Sequence, residues 1–200
     1  MRSKGTIALL LVLLIVLFGG CMGCNAYNGM VESEEIVEQS WANVETQYQR
    51  RADLIPNLVS TVRGAADFEQ ETLQAVTQAR AEATSIRLTV DDLEDPARLR
   101  EFEAAQSRLG GALGRLLAVS ENYPQLRATE SFRDLQAQLE GTENRINVAR
   151  RDYNDSVRRY NTQVRRFPGA VFASIFGFGR RTPFEAEAGA EEAPTVDFSS

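Results

Sequence analysis

The chain has 200 residues, of which 43% are hydrophobic and 25% charged, enough for one folded domain with an appendage. Lysine and arginine total 22 against 28 aspartates and glutamates, so the net charge is −6. This balance is opposite to the one typical of nucleic-acid-binding proteins. The chain has no histidine, which excludes a Ser-His-Asp triad and imidazole metal ligands. We therefore expect no nucleic-acid partner, no metal and no cofactor.

The N-terminal segment predicts attachment to a membrane. Arg2 and Lys4 precede 27 uncharged residues, 5–31, whose strongly apolar part is 7–18. As a helix, residues 5–22 would extend about 27 Å, close to the roughly 30 Å of a bilayer's hydrocarbon core. The alternative is a secretory signal, because a basic start, a short apolar run and small residues also fit one. Both interpretations stay open.

The signal interpretation points to a lipid anchor. Phe18-Gly19-Gly20-Cys21 resembles a bacterial lipobox, which would make Cys21 the lipidated first residue of the mature chain. Both anchors predict the same topology, since the positive charges precede the apolar run and the first charges beyond it, Glu32, Glu34 and Glu35, are acidic. We expect a single pass through the cytoplasmic membrane, with the N-terminus inside and the body outside the cytoplasm.

The first helix of the body is predicted over about 27–63. Apolar residues recur there in two rows of heptad spacing, which is typical of packed antiparallel or parallel helices. Pro56 lies inside this stretch and predicts a kink, because proline removes one backbone hydrogen bond. The rows consist of Tyr27, Trp41, Tyr48, Ile55 and Val62, with Met30, Val37, Val44 and Leu58.

Two shorter helices follow. Asp67 and Gln70 approximate a capping box for a second helix that ends near residue 88. Asp95 and Pro96 combine an N-cap residue with a proline at the first helical position, which predicts the start of a third helix. Tyr123-Pro124 ends this helix near residue 122.

The fourth helix is predicted over about 130–166, and it carries an uninterrupted row of sevens: Phe132, Leu139, Ile146, Tyr153, Tyr160 and Phe167. No stretch of the body alternates long enough for a strand ladder. These patterns predict an all-α protein, an up-down antiparallel four-helix bundle with two long helices, preceded by an N-terminal membrane anchor.

The two long helices define a register. Aligning Trp41 with Tyr153 pairs residues whose numbers sum to about 194, and it sets Arg51 opposite Glu143. An Arg–Glu pair at this position would fix the register without necessarily adding net stability. The register requires the two charged groups to lie within bridging distance, near 4 Å.

A polar stripe runs beside the apolar row of the fourth helix. Asn147, Asn154 and Asn161 recur at sevens, and Arg151, Arg158 and Arg165 each follow four residues later. Aligned amides and guanidinium groups are donors and acceptors for an extended partner segment. The alternative is a boundary row that ties the long helices together.

The C-terminal part divides into two segments. Residues 167–183 form an apolar, Phe-rich segment near the membrane, in which Phe172, Phe176 and Phe178 are candidate membrane contacts. The alternative is that the segment caps the open end of the bundle. Residues 184–200 are acidic and rich in small residues, which predicts a disordered tail. The full division is 1–26 for the anchor, 27–166 for the bundle, then these two segments.

Several motifs resemble the bacterial LemA family over about 27–198. They are Tyr27-Asn28, the run Gln49–Val59 that contains RRADLIPNLV, Tyr123-Pro124, Glu140–Ile146, Tyr153-Asn154 with Tyr160-Asn161, Arg166-Phe167-Pro168 and Pro194–Phe198. The resemblance implies a membrane-anchored helical bundle outside the cytoplasm, with no established catalytic reaction, cofactor or substrate. Relatives often accompany envelope proteins such as membrane metalloproteases, so the resemblance implies an adaptor role linked to membrane protein quality control.

We therefore expect a scaffold or adaptor, not an enzyme, that binds other envelope proteins. One alternative is a self-assembling homo-oligomer that remodels membranes. Another is an envelope enzyme that uses Asp53 and Glu143 as an acid/base pair. An enclosed pocket shared by these two carboxylates would favour the enzyme, whereas a closely packed seam between the helices would favour the scaffold.

Overall fold

The computed structural model describes residues 2–64 and 68–185. Within these ranges the chain forms six α-helices and no strand: α1 (Arg2–Arg63), α2 (Gln70–Ser85), α3 (Pro96–Ser120), α4 (Pro124–Arg127), α5 (Glu130–Arg165) and α6 (Gly169–Phe176). A short 3₁₀ helix, Asp91–Glu94, precedes α3. The prediction of an all-α protein is confirmed.

The N-terminal apolar run and the first body helix form one continuous helix. α1 has 62 residues, which corresponds to about 93 Å. Large apolar side chains that the structure describes between Ile7 and Phe18 are exposed, whereas Met30, Val37 and every third or fourth residue beyond Val37 are buried. By length and composition, α1 contains a stretch able to cross a membrane. The boundary predicted between residues 26 and 27 therefore does not interrupt the helix.

α1 and α5 pack side by side and run in opposite directions. Ser33 Oγ donates to Gln163 Oε1 at 2.5 Å, and the rings of Trp41 and Tyr153 lie 5.5 Å apart. Residues farther along α1 contact residues earlier in α5, so the numbers of the contacting residues have a nearly constant sum. α2 packs against α3 and α1, so the pair α2 and α3 contacts the pair α1 and α5.

The observed helix starts can be compared with the capping residues that the sequence predicts. The Asp95 side chain accepts a hydrogen bond from Ala97 N at 2.8 Å and Pro96 occupies the first turn, which confirms the predicted start of α3. α2 begins at Gln70, and the predicted cap residue Asp67 lies outside the described residues. α1 continues through Pro56.

The buried apolar residues form two clusters. One joins α2, α3 and the ends of α1 and α5 around Leu58 and Phe132. The other lies around Trp41, Tyr153 and Tyr160, and it includes Phe184 from the C-terminal part. The residues predicted for the heptad rows are buried with two exceptions, Tyr27 and Phe167. Phe167 is 81% exposed because α5 ends at Arg165 and the chain turns at Pro168.

Phe184 also corrects a predicted boundary. The sequence places this residue in a disordered tail that begins at 184, but its side chain is only 5% exposed. It stacks on Trp41 with ring centroids 5.9 Å apart and contacts Tyr153 edge-on at 5.3 Å. Residues 186–200, including the rest of the predicted tail, lie outside the described part of the chain.

Candidate functional site

An extended segment, residues 178–185, crosses the face formed by α1, α5 and the 3₁₀ helix; we call it the strap. Gly177, with φ of +81°, ends α6 and turns the chain into the strap. This left-handed conformation is one that glycine adopts without steric cost. Pro183 fixes its own φ and favours an extended Thr182 before it, which suits a strap that is neither helix nor strand.

Two asparagines of α5 hold the strap backbone. Asn161 Nδ2 donates to the Arg181 carbonyl at 2.7 Å, and Arg181 N donates to Asn161 Oδ1 at 3.0 Å. Asn154 repeats the pattern with Phe184: Nδ2 donates to the carbonyl at 3.1 Å and Phe184 N donates to Oδ1 at 2.8 Å. Each amide therefore acts as donor and acceptor, as a neighbouring strand would.

We call each of these asparagines, with the strap residue that it binds, a clamp. The spacing of the two clamps follows from the geometry of a helix and an extended chain. Seven residues of α5 separate Asn154 from Asn161, a rise of about 10.5 Å. Three residues of the strap separate Arg181 from Phe184, about 10 Å when the chain is extended. The two repeats match, so asparagines at heptad spacing can grip every third residue of an extended segment.

Thr182, between the two asparagine-bound residues, has partners for its backbone as well. Thr182 N donates to the Leu93 carbonyl at 2.8 Å, and the Thr182 carbonyl accepts from the Tyr153 hydroxyl at 2.9 Å. Pro183 has no N–H to satisfy. Buried backbone donors without partners destabilise a fold, and the backbone donors at 181, 182 and 184 all have partners.

Arg181 ties the strap to two other elements through charge. Its side chain is buried, its Nη2 lies 2.5 Å from Glu34 Oε1 of α1, and its Nη1 pairs with Glu94 of the 3₁₀ helix. The guanidinium carbon lies 5.9 Å from the centre of the Tyr160 ring, a distance typical of a cation–π contact. Arg181 thereby joins α1, α5 and the loop before α3.

The two tyrosines beside the strap remain protonated at neutral pH. Burial raises the pKa of Tyr153 well above its usual value. Burial, followed by the negative charge of Glu34, raises the pKa of Tyr160 to about 12. The Tyr153 hydroxyl is therefore a hydrogen-bond donor to the strap throughout the physiological pH range.

Some residues of the predicted partner-binding stripe are bound to the strap, and others are exposed. Asn154 and Asn161 do bind an extended segment, but that segment belongs to the same chain, so their amides are not available to a partner while the strap is in place. Asn147 and Arg151 are exposed. Arg158, also exposed, forms an ion pair with Asp155 at 3.0 Å.

The structure brings Arg51 and Glu143 together. Arg51 Nη1 lies 2.9 Å from Glu143 Oε2, and Arg51 Nη2 donates to the side chain and the backbone carbonyl of Gln106 at 2.7 and 3.1 Å. The Arg51 side chain is 4% exposed, whereas that of Glu143 is 52% exposed. The guanidinium therefore links α1, α3 and α5 at the junction between the two apolar clusters.

Asp53 and Glu143 do not share a site. Asp53 is exposed and lines a groove of about 470 Å³ with Glu45 and Arg87, which Glu143 does not reach. Glu143 lines a separate groove of about 210 Å³ beside Arg51. Among the described residues no cluster of acidic or cysteine side chains has the arrangement of a metal site.

The candidate membrane contacts are placed differently from one another. Phe172 and Phe178 are partly buried against the cluster around Trp41, whereas Phe176 is half exposed; membrane contact through these three residues stays a prediction. Cys21, the candidate lipidation site, is exposed on α1. The exposed apolar residues that sequence reasoning missed are Phe167, Val171 and Ile175. Their spacing of four residues in the sequence was the pattern that could have indicated a common exposed side.

We expect Asn154→Ala to loosen the strap, because Phe184 N and O both lose their partner. Two lost hydrogen bonds correspond to about 1–2 kcal/mol of unfolding free energy. The measurement is hydrogen–deuterium exchange of the strap amides, which should become faster. Asn147→Ala is the matched control, the same residue type one heptad away and exposed. Equal exchange in both variants would contradict the clamp.

The family comparison matches residues 40–198 to the LemA family. The relatives include MamQ 1 and MamQ 2, magnetosome proteins of Paramagnetospirillum magneticum, each 27% identical over 175 residues that cover 80% of this chain and 64% of theirs. The magnetosome protein MamQ of Magnetospirillum gryphiswaldense is 26% identical over 186 residues, 85% of this chain and 68% of its own.

A further relative, Protein LemA of Metamycoplasma hominis, is 22% identical over 140 residues, or 70% of this chain and 60% of that protein. The chain thus spans somewhat less than two thirds of the length of the first MamQ proteins it matches. The matched region contains the Arg51 junction, both clamp asparagines and the whole strap. The chain belongs to the LemA family.

Proposed function

We propose that this protein is a scaffold tethered to the cytoplasmic membrane, whose helical body presents binding surfaces to other envelope proteins outside the cytoplasm. The tether is the start of α1, as a transmembrane helix or, alternatively, as a lipid anchor on Cys21. The order of charges supports this orientation, since Arg2 and Lys4 precede the apolar run and acidic residues follow it.

The continuity of α1 supports a scaffold of fixed geometry. The same helix carries the exposed apolar stretch and, from Met30 onward, one wall of the packed body. No flexible linker separates the two within residues 2–64, so the body would stand at a defined height and rotation relative to the membrane. We propose that the two helix pairs form the up-down bundle that the heptad rows predict.

The observation that carries the proposal is an exposed face on α5. Val148 is 46% exposed and lies between Asn147 and Arg151, which are also exposed. Among the described residues none makes a side-chain hydrogen bond or ion pair with these two polar groups. An apolar side chain flanked by an amide and a guanidinium has the composition of a protein-binding surface, in which arginine is enriched.

Two buried arginines, by contrast, are bound to other residues of the same chain. Arg51 is bound by Glu143 and Gln106, and Arg181 by Glu34 and Glu94. Since Asp53 and Glu143 line different grooves, an acid/base pair made of these two carboxylates is not supported by their placement. The scaffold accounts for the same residues without a reaction.

Photocrosslinking in intact membranes tests the proposal. A benzoylphenylalanine at Val148 should form adducts with a small, reproducible set of envelope proteins, and Arg151→Glu in the same chain should reduce them. The control places the same group at Ala81, which is exposed on α2. Equal adducts at both positions, or adducts with other copies of this chain alone, would contradict the proposal; the second result would favour self-assembly.

A further inference from the structure

α6 lies beside the part of α1 that directly follows the apolar run, far from the C-terminal end of α1 at Arg63. α6 packs against α1 directly after the uncharged run: a Cβ added at Gly23 would lie 3.0 Å from Phe172 Cε1, and the ring of Tyr27 contacts that of Phe176 at 5.1 Å. Ala173, on the same inner side of α6, is buried.

This packing fixes the height of α6 relative to the anchor. A transmembrane segment over residues 5–22 would leave the hydrocarbon core near Met22, and a lipid on Cys21 would enter it at the same level. Gly23 is one or two residues beyond either point. Whichever anchor is used, α6 therefore lies at the membrane surface and not farther along the body.

The outer side of this region is apolar: Phe167 is 81% exposed, Ile175 66% and Val171 50%. Phe176, whose ring contacts Tyr27 on one side, is half exposed at the edge of this group. Four large apolar side chains on one short segment form a patch of the kind that marks interaction sites. Phe172 and Phe178 are the inner residues that hold the segment in place.

The charged residues that flank the apolar segment in the sequence are all positive. Residues 156–184 contain six arginines and no aspartate or glutamate. Arg181 is paired with acidic residues inside the protein, but Arg165, Arg166 and Arg180 are exposed at the two ends of the apolar segment. Exposed arginines next to a short apolar helix fit the anionic headgroups and the acyl-chain boundary of a bilayer.

We propose that α6 is a second membrane contact: it lies in the interface of an anionic bilayer, with Phe167, Val171, Ile175 and Phe176 at the acyl-chain boundary and the three exposed arginines at the headgroups. This inference rests on the proposed tether through α1. Because α6 is packed on α1 and α5 joins it directly, the contact holds the body upright against the membrane at two points. The partner that it fits is the lipid surface and not a second protein.

The test uses the full chain in vesicles of equal parts phosphatidylglycerol and phosphatidylcholine, with bromine on the acyl chains, which quenches tryptophan at short range. Ile175→Trp adds an emitter at the patch, and the single natural tryptophan, Trp41, is buried and serves as the common background. We expect bromination to quench the added emission. Ala137→Trp, exposed near the far end of α5, is the matched control and should not be quenched.

A third variant separates the patch from the tether. Leu14→Trp reports the anchor, since Leu14 is exposed within the apolar run. Quenching at 14 but not at 175 would overturn the membrane contact and leave the tether intact, whereas the absence of quenching at 14 would overturn the transmembrane form of the tether. A blue-shifted but unquenched emission at 175 would show a protein surface, such as a second copy, and would also overturn the proposal.

The charge requirement is tested in the same assay. Arg165→Gln with Arg166→Gln and Arg180→Gln should lower the quenching of the tryptophan at 175, and so should replacing phosphatidylglycerol by phosphatidylcholine. Quenching that is unchanged by both would overturn the assignment to an anionic surface.

Discussion

Replacing Phe184 with alanine is expected to release the strap from the helical face. The phenylalanine fills the space between Trp41 and Tyr153, and the Arg150 guanidinium lies over its ring at 4.6 Å. Truncating a buried phenylalanine typically costs about 3–5 kcal/mol, and a strap that can detach limits the global loss to about 3 kcal/mol. For a protein of this size, that corresponds to about 6–12 °C in the melting temperature.

The measurement is the emission of Trp41, the single tryptophan of the chain, which is buried beneath Phe184. Phe184→Ala should shift this emission to longer wavelength, because water reaches the indole when the strap leaves. Phe167→Ala is the matched control: Phe167 is 81% exposed, and its truncation should change neither the emission nor the melting temperature. An unchanged Trp41 spectrum in Phe184→Ala would show that the strap does not shield the indole.

Long-range periodicity predicted the helices well, because each heptad row reports burial along a whole helix. The two rows of α1 and the row of α5 are buried over most of their length, and the predicted start of α3 at Asp95-Pro96 matches the observed cap. The same rows set Trp41 beside Tyr153 and Arg51 beside Glu143, as the structure shows. Side-chain spacing of this kind depends only on helix geometry.

The strap could not be predicted in the same way. Its eight residues have neither helical nor alternating periodicity, and its stability comes from side chains located far away in the sequence, such as Asn154 and Asn161. Composition instead predicted a disordered tail that includes Phe184, since this residue adjoins an acidic segment rich in small residues. The asparagine repeat did predict a site for an extended segment, but not that residues of the same chain occupy it.

The orientation of α6 is a second feature that the sequence did not predict. An apolar segment flanked by arginines predicted membrane contact for Phe172, Phe176 and Phe178 together, but an eight-residue helix has two sides. Close packing at Gly23 and Met30 turns Phe172 and Ala173 inward and leaves Val171 and Ile175 outside. Phe167 continues the row of α5 in sequence, yet it lies outside because the helix ends two residues earlier.

Arg51→Ala is expected to destabilise the fold by about 3 kcal/mol, because it removes a buried guanidinium that holds three helices together and leaves a buried acceptor without its donor. The arginine side chain is 4% exposed and spans α1, α3 and α5. Its loss leaves the Gln106 side-chain oxygen without its donor in the interior, removes an additional hydrogen bond to the Gln106 backbone carbonyl of α3, and removes the packing of the side-chain stem.

Glu143→Gln is the matched change on the other side of the pair, and we expect it to cost less than about 1 kcal/mol, since a half-exposed carboxylate is screened by water. The amide retains an oxygen that can accept from Arg51 Nη1. Thermal unfolding followed by circular dichroism at 222 nm measures both variants. A large loss in Arg51→Ala with a small one in Glu143→Gln would show that the arginine acts through burial and hydrogen bonds to Gln106. Equal losses would instead assign the stabilisation to the charge pair itself, and the register of α1 and α5 would then depend on Coulombic attraction.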